Sequence, residues 1–183
     1  MAISQFYMAI FPKKGIIEYF GEVPKVLEVD FQKMTENFLN DNINDEDDYF
    51  EFIQHKCWCI SKINSEEIIK IIDNILDRAN WGNSTKANNW KTETDETDND
   101  AWLLVDEENN ILEFTFRADL RQPQLKFLLE MIELCIEKDF LLMDISGNVV
   151  KPDLEKVIEL VKQSNAFKSI VNTNQYFSDF ENE

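Results

Sequence analysis

The residues most able to do chemistry lie together in His55-Lys56-Cys57-Trp58-Cys59, where the only histidine of the chain stands beside two of its three cysteines. An imidazole next to two thiols raises the question of a soft metal ion. On a strand all three would share a face, but His55 and Cys59 would then be roughly 13 Å apart at about 3.3 Å per residue. Ligands of one zinc ion each sit about 2.0 to 2.3 Å from the metal. On a helix the three side chains would diverge, and no second ligand pair follows at the usual spacing. The reading favoured is structural cysteine, with no metal and no cofactor.

Other chemistry finds less support. No Gly-x-Ser-x-Gly elbow presents a nucleophile to the single histidine. The glycines Gly15, Gly21, Gly82 and Gly147 are isolated, so no closely spaced set cradles a phosphate. The acidic runs Asp45-Glu46-Asp47-Asp48 and Asp95 to Asp100 lack the glycine and terminal glutamate of an EF-hand. Carboxylate pairs can always be drawn from 36 acids, so a carboxylate hydrolase remains an alternative without a specific signature. Phe116-Arg117-Ala118-Asp119-Leu120-Arg121 concentrates scarce arginines beside an aspartate. It reads as an ion pair fixing a corner, with a ligand clamp as the other option.

Charge is the dominant bulk property. Against 36 Asp and Glu stand 18 Lys and Arg, a formal net charge of −18 that repels phosphate backbones and anionic lipid. Direct nucleic-acid and membrane binding are therefore disfavoured, and a basic protein partner is the natural complement. At 183 residues and 44% hydrophobic composition, with 14 Phe and 4 Trp, the chain can build one sizeable core. No apolar stretch approaches the roughly 20 residues of a membrane span. The opening MAISQFYMAIFPKK has its basic residues after its apolar run, the reverse of a secretory signal. With three cysteines, an odd number, the expectation is a reducing cytoplasm.

These residues need a scaffold. Residues 1–11 read as a strand ended by Pro12, with Ile16 to Phe20 as its hairpin partner. Val26 to Leu39 has helical spacing, and Tyr49 to Ile60, rich in aromatics and β-formers, reads as a strand. Ser65-Glu66-Glu67 starts a helix carrying Ile68, Ile71, Ile72, Ile75, Leu76 and Ala79 on one face. Residues 82 to 100 read as a long acidic surface loop. Trp102 to Val105 and Ile111 to Arg117 predict a hairpin with Leu112, Phe114 and Phe116 inward. Pro123 opens a helix with Leu125, Leu128, Leu129, Ile132 and Ile136. Phe140 to Met143 and Val149-Val150 make a second hairpin, and Pro152 opens a last helix that Ser164-Asn165 ends. The sum is a single α+β domain over 1–183, an antiparallel sheet with helices mainly on one side.

The acidic loop carries Trp90 with Trp81 at its entrance, and an indole ringed by carboxylates is a plausible interface anchor. The expected partner-binding residues are Trp81, Trp90, Glu93, Asp95, Glu96, Asp98 and Asp100, with Asp45, Glu46, Asp47 and Asp48 as a second acidic patch. The other option is a solvated loop whose tryptophans fold back onto the core.

Ala101-Trp102, Phe114-Thr115-Phe116-Arg117-Ala118-Asp119-Leu120-Arg121, Phe127-Leu128-Leu129 and Ser164-Asn165-Ala166-Phe167 carry a family resemblance. From Ala101 onward the chain resembles the small acidic immunity proteins that protect bacteria from polymorphic or type VI secreted toxins. That resemblance implies a cytoplasmic protein that binds and blocks one cognate toxin, often a basic nuclease; the want of catalytic signatures adds the expectation that it is not an enzyme. It assigns no functional residue and does not extend to the N-terminal half. An adaptor in a larger assembly is a further reading that the same acidity would serve.

Overall fold

The computed structural model describes residues 4–27, 50–92, 94, 97–122 and 124–171. Among these residues six strands form one sheet: β1 (Gln5–Pro12), β2 (Ala87–Lys91), β3 (Asp100–Val105), β4 (Ile111–Asp119), β5 (Phe140–Asp144) and β6 (Val149–Val150). Their order is β2-β3-β4-β1-β5-β6 and every neighbouring pair is antiparallel. The helices are α1 (Lys13–Phe20), α2 (Phe50–Ser61), α3 (Glu66–Asp73), α4 (Lys126–Glu137) and α5 (Leu154–Gln163), followed by a helical segment over 165–171. This is the expected α+β architecture, with the N-terminal strand at its centre.

Strand β1 is apolar at successive positions because both of its faces are covered. Phe6, Met8 and Ile10 join the larger core cluster, packed by residues of α3, α4 and α5. Ala9 and Phe11 point the other way into a smaller cluster with Ile16 of α1 and Ile53 and Cys57 of α2. Strand β5 alternates in the same manner, with Phe140 and Leu142 on one face and Leu141 and Met143 on the other.

Residues 16–20 are not a hairpin partner. The chain leaves Pro12 directly into α1, which Gly21 ends at φ 81°, and the edges of β1 are taken by β4 and β5. Nor is 50–60 a strand. It forms α2, in which Ile53 and Cys57 face the smaller cluster one turn apart. Gln54 and Trp58 supply the adjoining stripe: the Gln54 amide donates to Ile10 O (2.8 Å) and Phe114 O (2.7 Å), and the Trp58 indole donates to Ile10 O (3.1 Å). The β1–β4 pairing stops at Ala9↔Thr115, and these two side chains take over the carbonyls beyond it. A buried glutamine broke the apolar period that would have marked the helix.

Residues 82–100 are not one long loop, because β2 lies within them and pairs with β3 from Ala87↔Leu104 to Lys91↔Asp100. The strand is built from polar residues whose side chains bond the preceding turn: Asn89 Nδ2 donates to Gly82 O, and Asn89 N donates to Asn83 Oδ1. Hydropathy could not show that. The outer edge of β2 is met by 77–79 through Ala79 N to Asn89 O and Lys91 N to Asp77 O. The β6 edge is met by 25–27 through Val149 N to Lys25 O and Leu27 N to Gly147 O.

The β3–β4 and β5–β6 hairpins hold as expected and share one turn. In Asp106-Glu107-Glu108-Asn109-Asn110, Asp106 Oδ1 accepts Glu108 N and Asn110 N while Oδ2 accepts Asn110 Nδ2. In Asp144-Ile145-Ser146-Gly147-Asn148, Asp144 accepts Ser146 N, Asn148 N and Asn148 Nδ2 in the same pattern. Both turns place a positive φ at the fourth residue, Asn109 or Gly147, where Asn and Gly are tolerated. A bulge at Leu104/Val105 shifts the phase of β4, so Ile111 rather than Leu112 is buried with Phe114 and Phe116.

Three helix starts and ends differ in detail. Ser65 is buried and does not cap α3; Asn64 Oδ1 accepts Glu66 N instead. Helix α3 closes at Asp73, and Leu76 and Ala79 are buried beyond it. Helix α4 begins at Lys126, after Leu125 in a left-handed conformation, and it leaves Leu129 and Ile136 exposed while Phe127 and Met131 are buried. Pro123, most of the 26–39 helix and the 172–180 segment lie outside the described residues.

Candidate functional site: a paired-charge corner and a polar cleft

The tryptophan expected to anchor a partner is a core residue. Trp90 has no exposed surface, because its register opposite Ala101 turns the indole into the larger cluster. Its Nε1 donates to Asp73 Oδ1 at 2.7 Å, and the Arg78 guanidinium lies 4.4 Å from the ring centroid. Asp73 is thus shared between Arg78 and Trp90. Partial burial pushes its carboxyl up, but these bonds outweigh that and hold it below the usual carboxylate value. Trp81, by contrast, is 51% exposed.

Asp98 and Asp100 are not free contacts either. Asp98 Oδ1 accepts Lys91 Nζ at 2.7 Å, and Asp100 is held by Arg117 at 2.6 Å with the Gln5 amide beside it. Asp119, whose side chain has no exposed surface, takes Arg121 on both oxygens (2.9 and 3.0 Å), and its Oδ2 also accepts Asp98 N. Burial raises the Asp119 carboxyl, yet the bonds from Arg121 and from the Asp98 amide win and its pKa is lowered. The expected corner ion pair is therefore real, and it forms within a larger network that ties Asp98 and Asp100 to β1 and β4. Arg117 pairs with Asp100 rather than Asp119, a cross-strand partner set by the β3–β4 register. Glu93, Asp95, Glu96 and Asp45, Glu46, Asp47 and Asp48 lie outside the described residues.

On α2, Cys57 is buried and its thiol pushed up to about 12 by burial, while His55 and Cys59 are exposed. His55 and Cys59 share a helix side one turn apart, so only Cys57 diverges. Cys135 is likewise buried and its pKa raised. Among the described residues no group of three His, Cys, Asp or Glu could hold a metal ion. No helix among them is long and apolar enough to cross a membrane.

Besides a groove of about 420 Å³ at the Asp106 turn, lined by Cys59, Lys62 and Glu107 among others, two more grooves of ligand-like size lie among the described residues. One, about 420 Å³, lies beside the charged corner and is lined by Asp119, Glu130 and Lys126 among others. Its carboxylates are already matched by Arg121 and Lys126. The other, about 600 Å³, is bounded by the start of β1, the β5–β6 turn, the end of α5 and the 165–171 segment, with Asp144, Gln163 and Asn165 in its lining. Sequence reasoning found the Asp144 turn but not this cleft, because its walls come from segments far apart in the chain.

All three arginines are committed to carboxylates. Fourteen of the 36 acidic residues, but only one of the 18 basic residues, fall outside the described residues. Comparison with family models, characterised proteins and solved structures finds no match to this chain.

Proposed function

We propose that the chain is an acidic protein-binding inhibitor of the immunity type, acting in the bacterial cytoplasm by capturing a basic partner such as a secreted toxin, without turnover of its own. The observation that carries this reading is the net charge of −18 combined with the internal use of the cations. Arg78, Arg117, Arg121, Lys91 and Lys138 each face a carboxylate of the same chain, so the field offered outward is negative. A negative field accelerates encounter with a positive surface and penalises anionic competitors.

Both sheet edges are met by the chain's own backbone, which disfavours strand addition and leaves side-chain recognition as the mode of contact. The immobilised chain should retain a basic protein from the native host and release it as salt is raised. Turnover of a substrate panel that disappears on replacing one carboxylate would instead establish the hydrolase alternative.

A further inference from the structure

We propose that the 600 Å³ cleft between the β5–β6 turn and the end of α5 is a socket for a basic side chain, an arginine guanidinium above all, presented by the partner. The inference rests on the binding function proposed above and says where on this chain a cation is received.

Charge separates this cleft from the other two grooves. Among the described residues its one carboxylate is Asp144, which has no ion pair there, and no lysine or arginine of those residues lines it. Lys162 and Lys168, on the neighbouring helical segments, are exposed and do not line the cleft. An ionised carboxylate offers about four acceptor sites. Three N–H donors occupy Asp144: two on Oδ1, from Ser146 N and Asn148 N, and one on Oδ2, from Asn148 Nδ2, so Oδ2 keeps capacity for one more. The sister turn supplies the contrast. Asp106 has the same three bonds, and its pKa is lowered first by the Asn110 side-chain bond and least by the charge of Lys62, a cation with which it shares a groove.

The remaining lining suits a planar cation with several donors. Gln163 and Asn165 line it with side-chain amides, whose oxygens can accept from such a cation. Ile145, 63% exposed at the tip of the turn, offers an apolar rim for the aliphatic stem of an arginine.

The test uses N-acetyl-arginine amide and its uncharged isostere, N-acetyl-citrulline amide, titrated into the isotopically labelled full chain and followed by amide chemical shifts. Arginine amide is expected to give saturable shifts at 144–148 and 163–169, and citrulline amide none. Equal shifts from both, or shifts elsewhere only, overturn the proposal. Asp144→Asn should abolish the effect, but it also touches the turn, so exposed Gln163 carries the independent variants. Gln163→Glu should tighten and Gln163→Lys weaken arginine binding by about fivefold each. Indistinguishable affinities for the two variants refute a cation socket. If the wild-type chain captures a basic partner and Gln163→Lys captures it equally well, the socket fails while the inhibitor reading stands. If the wild type captures none, the inhibitor reading fails, whatever arginine amide shows.

Discussion

Replacing Trp90 should destabilise the fold rather than trim a binding surface, and the structure sets the size of the effect. The side chain is fully buried, donates its indole N–H to Asp73 at 2.7 Å and carries Arg78 on its face. Truncating a buried aromatic to alanine costs about 3–5 kcal/mol. That is a large share of the roughly 5–15 kcal/mol that holds a domain together. Trp90→Phe keeps most of the apolar contact and removes the bond to Asp73. A hydrogen bond to a charged group is worth about 1.5–3 kcal/mol. Because the Asp73 side chain is 40% exposed, the low end applies, about 1–2 kcal/mol. Trp81→Ala, at an exposed position, should stay within about 0.5 kcal/mol. Urea unfolding followed by far-ultraviolet circular dichroism measures all three. With a slope of about 2 kcal/mol per molar urea, Trp90→Ala should lower the midpoint by roughly 2 M. A Trp90→Ala protein within 1 kcal/mol of wild type would refute the placement of this residue and return it to the surface.

Four further outcomes follow from the geometry. Gly15→Ala should destabilise by about 1–3 kcal/mol despite alanine's better helix propensity, because the added Cβ would stand 2.0 Å from Cys57 O and 2.7 Å from Ser61 Oγ; urea unfolding reads it. The Asp119 pKa is depressed on folding, so its contribution is present above the ordinary carboxylate value of 3.8 and lost as pH falls below it. Acid titration of Asp119→Asn against wild type should show the stability gap closing in that range. A thiol reagent at neutral pH should label Cys59 rapidly in the native chain, with Cys57 and Cys135 reacting only after denaturation. Asp144→Ala should cost about 1–3 kcal/mol by the same urea measurement, since it leaves two part-buried backbone N–H groups of its turn without their acceptor.

What the sequence made legible was whatever apolar period and turn chemistry expose. The alternation of Phe114 and Phe116, the run Phe140 to Met143 and the Asp-to-Asn turns identified both hairpins because each signal is local. The segments missed are those where polar side chains hold structure. Gln54 interrupts the apolar face of α2 in order to reach two strand carbonyls, and Asn89 lies in a strand because its amide bonds the turn before it. Trp90 misled for the same reason: its polar neighbours indicated a loop, whereas register places the indole inside. The Asp119–Arg121 pair was readable from a two-residue spacing, but the Arg117–Asp100 pair depends on strand pairing and was not. The cleft at Asp144 and Gln163 lay beyond local reading because its walls meet only after folding.

The most direct measurement is the ionic-strength dependence of binding to a protein captured from the native host. The proposed function predicts a partner of net positive charge whose Kd rises about tenfold or more as salt is raised from low to high concentration. A neutral or acidic partner, or an affinity indifferent to salt, would contradict it.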